Sequence, residues 1–247
     1  KLDLKAPPRK ESLWDFERTW HRGQIDQIRP YFQAGIVSHF EEKEGNLLHV
    51  AANRGWPGLL EIGLHCGVDV NRSMHYFETV YDPYGTKKTL PLHIAARKGH
   101  TNLAKRLLDG GSPLEAEDQW GNRPLHHTAY AGNSDLVSFL LERGADVNVY
   151  TKHKILPMHI AAHVGSLDMV ETLAKHNSIF DIRDNSNLTP FLYAVRGGHL
   201  GVVKFLRAYG AEMELSDPAG NFPMHHAVSE RHKHVVEFFL EEGLSVD

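Results

Sequence analysis

Histidine makes up 18 of the 247 residues, and imidazole is both a common metal ligand and the usual proton-transfer group near neutral pH. His225-His226 and His232-x-His234 lie close enough in the chain to suggest a zinc cluster. A structural zinc site needs four convergent donors, commonly including thiolates. The chain has a single cysteine, Cys66, directly ahead of Gly67 and with no activating group readable nearby, so it reads as a small helix-face residue rather than a nucleophile. Glu41-Glu42 and Glu241-Glu242 read as solvated surface carboxylates. The glycines are evenly spaced rather than clustered into a phosphate-cradling loop. These residues predict no enzyme, no catalytic group, no metal and no cofactor. A lone cysteine excludes an internal disulfide and points to a reducing, cytoplasmic setting.

Spacing accounts for the histidines better than chemistry does. Pro91, Pro124, Pro157, Pro190 and Pro223 stand 33 residues apart. Two residues after each comes His93, His126, His159, Leu192 or His225, and His49 fills the same slot upstream. Six residues beyond that slot sit Gly55, Gly99, Gly132, Gly165 and Gly198, with Arg231 breaking the series. Twelve further on sit Gly67, Gly111, Gly144, Gly210 and Gly243, with Asn177 in the gap. Asparagine is the residue that best replaces glycine in a left-handed backbone, so this second position is expected to close a helix. His100, His199 and His232 recur after the first glycine, so eight of the 18 histidines belong to the repeat.

Each unit then needs two helices. Proline opens the first, where its missing N–H costs nothing; its small face, as in Ile94-Ala95-Ala96, allows close packing. The second carries apolar residues at helical spacing: Leu103, Ala104, Leu107 and Leu108; Leu136, Val137, Leu140 and Leu141; Val235, Val236, Phe239 and Leu240. A short extended stretch follows, then a polar turn such as Asp118-Gln119-Trp120-Gly121, which projects from the helices.

Leu90-Pro91-Leu92-His93, Ala95-Ala96, Gly99-His100 and Gly144-Ala145-Asp146-Val147-Asn148 closely resemble the ankyrin repeat. The resemblance covers residues 12–247 and implies an all-α repeat solenoid of stacked helix-turn-helix units with projecting β-turns or hairpins. It departs at the family's threonine, which survives only as Thr189; Asn46, Leu90, Arg123, Leu156 and Phe222 replace it. That puts in doubt the family's local threonine–histidine hydrogen bond, not the fold.

About seven units are expected: a worn first repeat at 12–43, then 44–88, 89–121, 122–154, 155–187, 188–220 and an incomplete 221–247, behind a tail at 1–11. The start at Lys1 without methionine and the stop inside a repeat motif suggest that the parent protein extends at both ends. The interval from His49 to His93 is 44 residues, eleven above the period. The excess falls at 72–88, an aromatic stretch containing Tyr76, Phe77, Tyr81 and Tyr84. Its strand-forming and turn-forming residues predict an enlarged hairpin or loop, either a tolerated insertion or a partner-contacting finger.

A net charge of −4 argues against nucleic acid, and no run of eighteen apolar residues predicts a membrane span. The resemblance implies protein binding along a concave surface of turn tips and first helices. Position by position it points to Gln119, Trp120, Tyr150, Lys152, His153, Arg183 and Ser216 at the tips. On the helices it points to Asn53, Arg54, Arg97, Lys98, Tyr130, His163, Arg196, Ser229 and Glu230. The aromatics and arginines are usual hot-spot types, and the cations suit an acidic partner segment with an apolar anchor. The resemblance equally allows a regulatory or self-assembly arm of a channel or enzyme, or the host-binding module of a secreted bacterial effector. Asn71 and Asn148 match a family position that can be hydroxylated.

Overall fold

The structure, a computed structural model, describes residues 46–76 and 86–244. The worn first repeat, the tail, and Phe77, Tyr81 and Tyr84 of the insertion lie outside the described residues. Among the described residues, twelve helices form six pairs: α1 Leu47–Arg54 and α2 Pro57–His65, α3 Pro91–Arg97 and α4 Thr101–Asp109, α5 Pro124–Ala131 and α6 Ser134–Glu142, α7 Pro157–Val164 and α8 Leu167–Lys175, α9 Pro190–Arg196 and α10 Leu200–Ala208, α11 Pro223–Ser229 and α12 Lys233–Glu241. Between the first two pairs, β1 Met74–Tyr76 and β2 Thr86–Thr89 pair antiparallel, with Met74 opposite Thr89 and Tyr76 opposite Thr86. The insertion therefore starts and ends as a hairpin.

First helices stack on first helices, second helices stack behind them, and each first helix packs on its own second helix. Small residues make the first layer possible: Ala51, Ala52, Ala95, Ala96, Ala129, Ala161, Ala162, Ala194 and Ala227 are buried, so neighbouring backbones approach closely. The second helices supply the bulk. Leu103, Ala104 and Leu107 are repeated as Leu136, Val137 and Leu140, as Met169, Val170 and Leu173, and as Val202, Val203 and Leu206, all buried in one continuous core. The last pair differs from the sequence expectation. Leu240 is 52 % exposed, and Phe238 packs inward beside Val235 and Phe239. Leu240 follows the outward-leaning column of Leu108, Leu141 and Arg207.

The threonine departure leaves the histidine bonding intact. His93, His126 and His159 accept at Nδ1 from the backbone N–H of Leu90, Arg123 and Leu156, at 3.0, 3.1 and 3.1 Å. A backbone donor exists whatever side chain stands there. Each ring then donates from Nε2 to a carbonyl further along the chain: Ala116 at 2.8 Å and Ile182 at 3.1 Å within the same repeat, and Ile155 at 3.1 Å in the next. Thr189 does cap its helix, accepting from the N–H of Leu192 at 3.3 Å.

Both glycine series adopt left-handed backbone, and so does Asn177, at φ 62°. Arg231 is left-handed as well, at φ 61°. The earlier glycines also serve as seats. A Cβ on Gly165 would lie 2.3 Å from the ring of His199, and one on Gly198 would lie 2.5 Å from that of His232. His199 and His232 donate from Nε2 to the carbonyls of His163 and Arg196, each at 2.9 Å. Arg231 keeps the strained backbone without glycine. Replacing Arg231 with glycine is expected to stabilise the chain by about 0.5–1 kcal/mol, with the melting temperature rising roughly 2 °C. A lower melting temperature in the R231G variant would show that the arginine side chain contributes more than its backbone costs.

Candidate functional site

The turn tips are built by a carboxylate or hydroxyl that recurs every 33 residues: Asp118, Thr151, Asp184 and Asp217. Asp118 Oδ1 accepts from the backbone N–H of Trp120 at 2.8 Å and of Asn122 at 2.9 Å. Thr151 Oγ1 accepts from His153 and Ile155, Asp184 Oδ1 from Ser186 and Leu188, and Asp217 Oδ1 from Ala219 and Asn221. In Asp118 and Asp184 the second carboxylate oxygen hydrogen-bonds to the first helix nine residues on, and in Asp217 it lies near that helix without such a bond. Asp118 Oδ2 lies 3.1 Å from His127 Nε2, Asp184 Oδ2 2.7 Å from the Tyr193 hydroxyl, and Asp217 Oδ2 3.1 Å from His226 Nε2. Burial works against the Asp118 carboxylate, but the bonds from His127 and Asn122 prevail and hold its pKa down at about 2. This device was missed in reading the sequence, although its 33-residue beat was there to be found.

Adjacent tips are also joined to one another. The N–H of Lys152 donates to the Trp120 carbonyl at 2.9 Å, and the N–H of Asn185 to the His153 carbonyl at 3.0 Å. The next residue in that column is Pro218, which has no N–H to give. There the Arg183 guanidinium reaches the Ser216 carbonyl at 3.3 Å instead. Half-buried Arg183, expected to face a partner, is thus engaged as a strap between tips, bonding also to the Asn187 carbonyl.

The other sequence-selected residues form a row along the tips and the C-terminal ends of the first helices. Trp120, Tyr130 and Tyr150 are 41, 51 and 47 % exposed. Trp120 lies beside the ring of exposed His153, centroids 6.1 Å apart, and Lys152 Nζ donates to the Gln119 carbonyl at 2.6 Å. On the helices, the Arg97 guanidinium sits 4.6 Å above the Tyr130 ring, a cation–π contact worth about 0.5–1 kcal/mol at an exposed site. His163 meets Tyr193 edge-on at 5.7 Å. Arg54, Lys98 and Arg196 are exposed at the equivalent helix ends. The structure therefore brings together Arg97 with Tyr130, and Gln119, Trp120, Lys152 and His153 as a second group. Tyr76 lies on β1.

The histidine pairs considered for metal are otherwise employed. His232 and His234 donate from Nε2 to the Arg196 and Gly198 carbonyls, at 2.9 and 2.7 Å. Among the described residues no three His, Cys, Asp or Glu side chains converge as a metal site, and no helix is long and apolar enough to cross a membrane.

A repeating helix pair with projecting, cross-linked tips is the architecture of a repeat solenoid. The family model for ankyrin repeats (3 copies) matches residues 48–151 and 151–217, which is well over half of the chain. The chain belongs to the ankyrin-repeat family, whose repeats generally mediate protein–protein interaction. A search of curated proteins finds no match.

Proposed function

We propose that this chain binds a partner protein along the face made by its turn tips and first helices, and that the partner segment is acidic with an apolar anchor. One observation carries the reading: exposed aromatic and cationic side chains stand side by side on positions fixed by the repeat, in a chain whose net charge is −4. Trp120, Tyr130 and Tyr150 supply rigid apolar area at little entropic cost. Arg54, Arg97, Lys98, Lys152 and Arg196 supply positive charge beside them. Preorganisation favours affinity, because tips already bonded to one another lose little freedom on binding. The insertion between Asn71 and Leu90 carries Tyr76, Phe77, Tyr81 and Tyr84, which makes it a candidate finger.

Charge reversal at Arg97 and Arg196 is expected to weaken capture of partners by about tenfold or more, with the melting temperature lowered by only about 2 °C through loss of the Arg97–Tyr130 contact. Deletion of residues 74–87 separates the finger from the groove: loss of a partner on deletion assigns that partner to the finger. Unchanged capture by the doubly reversed R97E/R196E protein would sink the groove reading.

A further inference from the structure

A different surface breaks the repeat's own pattern. In the residue before each helix-closing glycine or asparagine, successive units carry Cys66, Gly110, Arg143, His176, Tyr209 and Glu242. Two residues after that glycine they carry Asp69, Pro113, Asp146, Ile179 and Glu212. Tyr209 and Ile179 are the large apolar residues of these columns, and they are 50 and 43 % exposed. They fall on neighbouring units: Tyr209 stacks on Phe205 with centroids 4.4 Å apart and receives edge-on, at 6.4 Å, the ring of Phe180, the residue next to Ile179. The patch lies at the far ends of α8 and α10, away from the helix ends that carry Arg97 and Arg196.

Acids surround it. Asp181 accepts a hydrogen bond from the Glu212 backbone, and both partial burial and the Glu212 carboxylate push its pKa up. Glu214 follows, exposed. The cations of α10 are turned elsewhere: Arg207 pairs with Glu242 at 3.5 Å, and Lys204 sits over the Phe238 ring at 5.4 Å. Lys175, in the last turn of α8, is the nearest exposed cation in the sequence. An apolar platform edged by carboxylates that repel each other favours a ligand bringing both positive charge and apolar area.

We propose that the far ends of α8 and α10 form a second docking surface, for a basic peptide segment carrying an apolar anchor. Tyr209, Ile179 and Phe180 take the anchor, and Asp181, Glu212 and Glu214 take the cations. The surface prefers the opposite charge from the groove and does not depend on it. A chain with both can hold two unlike segments at once.

The test uses the full chain and a dansyl-labelled Lys-Arg-Lys-Leu-Trp-Arg-Lys peptide at about 0.15 M salt, where long-range attraction to net charge is screened. Backbone amide shifts should concentrate on residues 179–181 and 209–214. Tyr209→Ser, and separately the Asp181→Asn, Glu212→Gln, Glu214→Gln triple variant, should each weaken binding by about tenfold. A charge-matched Glu61→Gln, Glu142→Gln, Glu237→Gln variant should not. Equal loss in both triple variants, or shifts spread over the whole acidic surface, would overturn the proposal. So would a self-associated species in sedimentation that Tyr209→Ser dissolves, since the occupant would then be a second copy. R97E/R196E tests the groove separately, so each site can fail alone.

Discussion

Lowering the pH from about 7 to about 5 is expected to destabilise this stack by several kcal/mol. Burial, opposed only partly by the bond to the next repeat, drives His126 down to about 4, and burial together with the neighbouring His127 drives His93 to about 3. His49 is lowered to about 4, and His159 is lowered as well, again chiefly by burial. Each folded pKa lies below the ordinary histidine value of about 6.5, so the unfolded chain binds more protons as the pH drops. The stability these residues contribute is complete above pH ~6.5 and drains away as the pH falls toward ~4, or toward ~3 for His93. At pH ~5 the loss is about 2 kcal/mol for each of His93 and His126. With His49 and His159 acting in the same direction, the total approaches the 5–15 kcal/mol that holds a typical domain together. The geometry gives the same answer. Nδ1 of His93, His126 and His159 accepts an N–H while Nε2 donates to a carbonyl 23 or 29 residues on, and a doubly protonated ring cannot accept. Asp118, lowered to about 2, adds a further loss below pH ~3.8. Urea melts by circular dichroism at pH 7, 6 and 5 check this, and a midpoint that does not move across that window would refute it. His126→Gln, which cannot titrate, should start less stable and lose less on acidification.

Asp118→Ala is expected to destabilise the chain by about 3 kcal/mol, the cost of leaving a buried polar partner unsatisfied while removing several bonds at once. Asp118 is 2 % exposed and His127 4 % exposed. The carboxylate takes two backbone N–H groups, the Asn122 side chain and the His127 ring. Without it the Trp120 turn keeps its main-chain bonds but loses its side-chain fastening. Asp118→Asn keeps an oxygen for the two N–H groups and lets His127 switch tautomer, so its cost should be nearer 1 kcal/mol. If both variants melt alike, the oxygen that asparagine retains contributes nothing, and the carboxylate's charge and second oxygen carry the whole effect. Because a solenoid transmits stability from neighbour to neighbour, the D118A variant should also lose amide protection in the adjoining units before global unfolding.

What could be read in the sequence followed from backbone demands that recur. Proline at the first helical position and glycine at the left-handed positions are dictated locally, so their spacing revealed the helix pairs and the closing turns. Asn177 was readable for the same reason. Arg231 was not, because nothing local announces a strained arginine; its position in the series does. The fate of the histidine bond was misjudged where the threonine was missing, since the donor is a backbone N–H that every substituting residue retains. Arg183 shows the limit for sites. Its type and column matched a contact residue, but its guanidinium is drawn to a carbonyl that lies one whole repeat away in sequence. The Asp118 series escaped notice because it mixes Asp with Thr, and its bonds reach both along the turn and across to a helix.

Pro218 has a mechanical consequence. From Trp120 through His153 the tips are pinned by main-chain bonds, which resist shear. At the boundary before Pro218 the pin is a long, jointed side chain, Arg183. The helices stay packed across this boundary in one continuous core, so the difference is confined to the tips: a ligand long enough to cross Pro218 would meet a seam held by one side chain instead of by a main-chain bond.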